Sequence, residues 1–165
     1  MIVQNRHTAL VSAFLVLLLS VMTVSLTSCK KDSWLDWKAQ NAAFLVRNMQ
    51  KDSIVTTPSG LQYKVIRQGI QGTKPDELKH VRIRYKGSLI TGNVFDQSDD
   101  ASFAVSSVVE GLKEGLKKMN KSGHYIFYIP QELGYGKEEQ GTKGVKNYIP
   151  PYSTLIFEVE LYDVY

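Results

Sequence analysis

Residues 81–96 read VRIRYKGSLITGNVFD. Val81, Ile83 and Tyr85 alternate with Arg82, Arg84 and Lys86. Successive side chains of a strand point to opposite faces, so the stretch from Val81 to Leu89 predicts a β-strand with one buried and one solvated side. Thr91-Gly92-Asn93 is turn chemistry, and Val94-Phe95-Asp96 then starts a short second strand. The cations lie on the solvated side of this pattern and form no block of the kind that binds nucleic acid.

Outward from this stretch the same periodicity recurs. Leu61, Tyr63 and Val65 alternate with Gln62 and Lys64, predicting a strand with Gln62 and Lys64 facing outward. Gln68 to Gly72 and Lys74-Pro75-Asp76 read as loops, and Phe103 to Val105 as another short strand. His124 to Ile129 and Thr154 to Val164 are the last two strands, the latter burying Leu155, Phe157, Val159 and Leu161. One helix stands among them, near Val108 to Asn120, where Val108, Leu112, Leu116 and Met119 share a face. Gly111 and Gly115 weaken that helix and point to close approach by whatever packs on it. Several strands around one short helix predict an α+β domain on an antiparallel sheet.

Before the domain, residues 33–50 have a helical pattern, with Ser33 and Asp36 spaced as a capping box and Trp34, Trp37, Phe44 and Met49 on one side. Such a stripe either packs on its own domain or binds a partner. Residues 51–60, KDSIVTTPSG, are turn-rich and read as a connection. Further back, Arg6 precedes an uncharged apolar run from Ala9 to Leu26, the layout of an export signal. Its length also approaches that of a spanning helix. The run ends in Leu26-Thr27-Ser28-Cys29, which resembles the bacterial lipobox, and Cys29 is the single cysteine of the chain. A cysteine at an apolar-to-polar junction has a physical use if it carries acyl chains, each buried methylene contributing about 0.8 kcal/mol. Lys30-Lys31-Asp32 resembles the polar tether of Gram-negative lipoproteins. The expected organisation is a signal segment over residues 1–28, a tether and helix over 29–52, and the domain over 53–165.

The formal net charge of +4, from 20 basic and 16 acidic side chains, is too small to argue for nucleic acid. His7, His80 and His124 have no metal-ligand spacing, and neither a nucleophile elbow nor a phosphate-cradling glycine loop is present. No metal and no cofactor are expected. What stands out is a set of aromatic residues near turns, Tyr85, Phe95, Phe103, Tyr135, Tyr148 and Phe157, with Asp96 beside Phe95. Taken alone, such a set reads as core.

From Ser59 onward, however, the chain resembles the FKBP family of immunophilins through SGLQYKVI at 59–66, VRIRYKGSLITGNVFD at 81–96, VVEGLKEGLKKM at 108–119, YIPQELGYG at 128–136 and YIPPYSTLIFEVELYDV at 148–164. The resemblance implies a half-barrel of antiparallel sheet wrapped around the helix, and peptidyl-prolyl cis-trans isomerase activity in the concavity between them. Tyr85, Phe95, Phe103 and Phe157 would be its aromatic walls and Leu112 its floor. Val108 and Val109 would form the rim, with the Val109 amide free to bond a substrate. Tyr135, Tyr148 and Ile149 would come from the covering loop, the Ile149 amide adding a polar contact, and Asp96 would be a buried polar group.

The implied partners are proline-containing polypeptides, and the implied location is the envelope of a Gram-negative bacterium, anchored through lipidated Cys29. Leu112 stands where many members have tryptophan, which counts against a macrolide ligand. Residues 103–108 are shorter than the common form, residues 137–147 longer, and Tyr148 replaces a smaller aliphatic residue. These departures motivate a second class of function, a chaperone or binding module that holds segments in the same groove without rotating them.

Overall fold

A computed structural model describes residues 34–72 and 74–165, within a compact unit spanning Asp32–Tyr165. The elements are α1 (Leu35–Asn48), β1 (Ile54–Thr56), β2 (Gln62–Arg67), β3 (His80–Ser88), β4 (Val94–Ala104), α2 (Glu110–Leu116), β5 (His124–Ile129) and β6 (Leu155–Val164), with 3-10 turns at Val105–Ser107 and Gln131–Leu133. The strands form one antiparallel sheet in the order β1-β2-β5-β6-β3-β4. Helix α2 packs on the sheet against β5, as the strand count and single helix predict.

The alternation in residues 81–89 has the expected consequence. Val81 and Ile83 are fully buried, while Arg82, Arg84 and Lys86 are exposed. Arg82 makes a two-pronged pair with Asp100 at 2.7 Å, Arg84 pairs with Asp99 at 3.0 Å, and Lys86 lies 3.5 Å from Glu158. Each exposed pair contributes no more than about 1 kcal/mol. Together they align β3 with its two neighbours. They also explain why residues 94–104 form one long strand where two short ones were expected. Gln97 to Ser102 lack apolar alternation, yet Asp99 and Asp100 bind the β3 arginines across the ladder.

Core burial is supplied by Leu155, Phe157, Val159 and Leu161 of β6, Tyr125, Phe127 and Ile129 of β5, and Leu112, Leu116 and Met119 from α2 and the turn after it. The regular helix is shorter than the apolar spacing predicts. Val108 precedes it, and beyond Leu116 the chain tightens into i→i−3 bonds, Lys118 N–H to Gly115 O and Met119 N–H to Leu116 O. The two helix glycines do mark close approach. A Cβ on Gly115 would stand 2.6 Å from Cε1 of the fully buried Phe127, and one on Gly111 would collide with Ile129. Gly115→Ala is therefore expected to destabilise the fold by about 1 kcal/mol in urea unfolding, since overpacking costs roughly 1–3 kcal/mol and helix propensity returns at most about 1.

The residues before the domain differ most from expectation. Residues 51–60 contain a three-residue edge strand, β1, paired to β2. Trp34 is the N-cap of helix α1 and its side chain makes no capping bond; the anticipated cap, Ser33, lies outside the described residues. The apolar stripe does pack on its own domain in part, with Trp37 against the core and Phe44 6.0 Å from the Tyr128 ring. Met49 is exposed, and the buried positions of α1 are Asn41 and Asn48. Asn48 donates to Gln62 Oε1 at 2.9 Å, and Gln62 Nε2 donates to the Leu45 carbonyl at 3.0 Å. Gln62, expected on a wet face, is thus covered by the helix. Residues 1–33, including Cys29 and the apolar run, lie outside the described residues.

Candidate active site

Strands β3, β4 and β6 bring the aromatic residues together. Gly87 of β3 pairs with Phe157 on β6 and with Asp96 on β4. A Cβ at Gly87 would stand 2.6 Å from the Phe95 ring and 3.1 Å from the Phe157 ring. The bare backbone there lets the two rings meet edge to face, 5.6 Å apart at 79°, a geometry that the aromatic quadrupole favours. Tyr85, two residues earlier on the same face, lies 6.2 Å from Phe157 and 5.7 Å from Phe103. Four rings drawn from residues 85–157 thus form one contiguous wall. Gly87 is the residue that sequence reasoning passed over. Its signal was a glycine inside an otherwise regular strand, which marks a close approach.

Leu112, Ile149 and Phe157 are nearly sealed from solvent, at 5%, 5% and 7% exposure. Tyr85, Phe95, Phe103, Val108, Val109 and Tyr148 are half-buried and Tyr135 is exposed. Together these residues make up the cup, whose most buried members are Leu112, Ile149 and Phe157 and whose other members reach solvent. Two hollows border some of these residues. One of about 710 Å³ runs along Phe95, Tyr148 and Val145, and one of about 590 Å³ sits on the outer face among Arg84, Lys86, Glu158 and Glu160.

Two polar expectations are corrected. Asp96 is exposed rather than buried. It sits on β4, the sheet's edge strand, where no further strand covers it. Water therefore shares its solvation with the Tyr85 hydroxyl, which donates to Oδ2 at 2.7 Å; a dry carboxylate there would cost several kcal/mol. The Ile149 N–H is not free: it donates to the Gln140 carbonyl at 2.9 Å, and Gln140 N–H returns a bond to Ile149 O at 2.9 Å. The long 137–147 segment closes back on the cup through this pair. The Val109 N–H, in contrast, has no acceptor among the described residues.

The phenols are held neutral. Burial, the bond to Asp96 and its negative charge push the Tyr85 hydroxyl well above its ordinary value. Burial and the Asp96 charge raise Tyr135 as well. Tyr148, which donates to Glu139 at 2.7 Å, is pushed up to about 12 by burial and that carboxylate. All three therefore remain hydrogen-bond donors at neutral pH.

A family model described as FKBP-type peptidyl-prolyl cis-trans isomerase matches residues 71–162, more than half of the chain. The chain belongs to that family. A second model, the domain amino terminal to FKBP-type isomerases, matches residues 21–65 and so spans α1. Among the relatives, the FKBP-type 22 kDa peptidyl-prolyl cis-trans isomerase of Escherichia coli K12 is 41% identical over 130 residues, covering 76% of this chain and 60% of that protein. The outer membrane protein MIP of Legionella longbeachae is 40% identical over 131 residues, covering 77% and 54%. The crystal structure of FkpA from Escherichia coli superimposes with a TM-score of 0.72 at 33% identity, covering 99% of this chain and 73% of that one. The chain spans about half the length of the curated relatives it matches.

Within this FKBP-type domain, Leu112 is 5% exposed and belongs to the same buried cluster as Phe157, with Tyr85, Phe95 and Phe103 packed against that cluster. Tyr148 stands at the rim between the cup and the hollow beside Phe95. Among the described residues no cluster of histidine, cysteine and carboxylate groups is arranged to hold a metal ion.

Proposed function

We propose that this protein catalyses rotation about Xaa-Pro peptide bonds in other polypeptides. The observation that carries the proposal is the four-ring wall packed into one cluster with the nearly sealed Leu112. An Xaa-Pro bond prefers trans by only about 0.5–1 kcal/mol, yet rotation crosses roughly 18–20 kcal/mol because amide resonance is lost at the twist. No covalent bond breaks. A catalyst need only bind the twisted amide more tightly than either planar isomer. The twisted amide has less charge separation, so it loses less than the planar forms on leaving water for an apolar cup.

Tyr85, Phe95, Phe103 and Phe157 would grip the proline ring above Leu112, with Val108, Ile149 and Tyr148 flanking it. The Val109 N–H, without a partner of its own, would bond a substrate carbonyl. The Ile149 N–H is occupied, so the remaining polar help falls to the Tyr135 hydroxyl and to Asp96. Asp96 would act electrostatically, oriented by Tyr85, since the reaction requires no net proton transfer.

The test is an NMR-exchange or protease-coupled assay on a short Xaa-Pro peptide with the full chain in detergent. Acceleration well above the uncatalysed step, which takes about 10–100 s, is expected. A rate equal to that of buffer would leave only the holding function.

We further propose that the chain works at the envelope of a Gram-negative bacterium, tethered through lipidated Cys29. Leu26-Thr27-Ser28-Cys29 at the end of an uncharged run supports this reading, as does likeness to a protein named as an outer membrane protein. Cys29→Ser is expected to move the protein from the membrane fraction to the soluble one. Unchanged partitioning into detergent would argue for an uncleaved helical anchor instead.

A further inference from the structure

The turn Pro150–Thr154 joins Ile149 in the cup to β6, which carries Phe157. Its central residue, Tyr152, has φ of +62°. For a side chain other than glycine this conformation is sterically disfavoured and persists only where neighbours impose it. Within the connection, Tyr152 N–H donates to the Gly136 carbonyl at 2.7 Å, next to Tyr135, and Ser153 Oγ donates to the Pro150 carbonyl at 2.7 Å.

The other restraints come from α1, more than a hundred residues earlier. Trp37 Nε1 donates to Ser153 Oγ at 3.1 Å, and the Thr154 N–H donates to Asn41 Oδ1 at 2.7 Å. Lys38 Nζ lies 4.9 Å from the centre of the Tyr152 ring. Asn41 is itself held by donating from Nδ2 to the Trp37 carbonyl at 2.8 Å. Asn41, Ser153 and Thr154 are all buried, so these bonds face little competition from water.

We propose that Trp37 and Asn41 are positioning residues for the cup. By pinning Ser153 and Thr154 they hold the left-handed Tyr152, and through it the positions of Ile149 and Tyr135. This inference rests on the isomerase reading for its functional consequence. On that reading Ile149 and Tyr135 would contact substrate in ground state and transition state alike, so loosening them should act on binding and appear mainly in KM.

The experiment compares the full chain in detergent with Trp37→Phe, Asn41→Ala and the double variant. Trp37→Phe keeps an aromatic ring against the core while removing the N–H donor together with part of the indole's volume, so it reports even if the double variant does not fold. Displacement of a binding wall by an ångström can cost up to about a hundred-fold, and partial loosening in the double variant is expected to lower kcat/KM about ten-fold, carried by KM, with Trp37→Phe alone giving about two- to three-fold. Hydrogen exchange at the Tyr152 amide, whose own acceptor Gly136 is untouched, should accelerate while the Phe127 amide in β5 keeps its protection.

Unchanged exchange at Tyr152 would overturn the clamp. Accelerated exchange with unchanged kcat/KM would overturn its service to the site, and equal acceleration at Tyr152 and Phe127 would reduce it to general destabilisation. A wild type without isomerase rate sinks the isomerase reading separately, and the two amides still decide the clamp.

Discussion

Phe157→Ala is expected to lower the free energy of unfolding by about 3–5 kcal/mol, the usual cost of emptying a buried phenylalanine site. Phe157 is the ring on which the cup converges, touching Phe95 and Tyr85 and pairing through its backbone with Gly87 and Phe127. Removing it leaves a void that neither neighbour can fill, because each is fixed on its own strand. Urea unfolding measures the loss. Since a drop of that size can unfold much of a small domain, Phe157→Leu serves as the companion. Nearly conserved volume should hold the stability cost under about 1.5 kcal/mol, while the missing ring face should still lower kcat/KM for an Xaa-Pro peptide. Full activity in Phe157→Leu would show that apolar bulk suffices and that ring geometry is immaterial.

Asp96→Val separates the polar part of the site from its packing. Asp96 is exposed and accepts from the Tyr85 hydroxyl at 2.7 Å, so water can replace it and stability should change by no more than about 0.5 kcal/mol. Activity should fall about 10- to 100-fold, because both the negative charge and the orientation of Tyr85 are lost. Burial and the Asp96 carboxylate together hold Tyr85 above its ordinary pKa. The variant's phenol should therefore ionise at lower pH than the wild type's, readable in an ultraviolet titration. A variant with wild-type kcat/KM would mean that the apolar cup alone accounts for turnover.

Much of this architecture was legible residue by residue. Period-two alternation located β3, β5 and β6 and their inward faces, since burial of one sheet face leaves that mark in the chain itself. Gly111 and Gly115 announced a close packing surface because their cost to a helix had to be repaid by proximity, found at Ile129 and Phe127. The hydrophobic search failed where polar residues were the buried ones. Asn41, Asn48 and Gln62 are inward because their amides find partners in distant backbone and side chains, and no local pattern encodes such partners. The long β4 was hidden for a similar reason, its middle being held by ion pairs to β3 rather than by apolar alternation.

By itself, then, the sequence determined which side chains must leave water, where the helix must lie close to the sheet, and which rings were available to a cup. Only the tertiary structure decided that Gly87 lets two of those rings touch, that Asp96 stays in water at an open sheet edge, that the Ile149 amide is already taken by Gln140, and that Asn41 reaches Thr154 across 113 positions of chain. Burial repeats with the period of the local backbone, whereas a hydrogen-bond partner is chosen by geometry that exists only once the strands are in register.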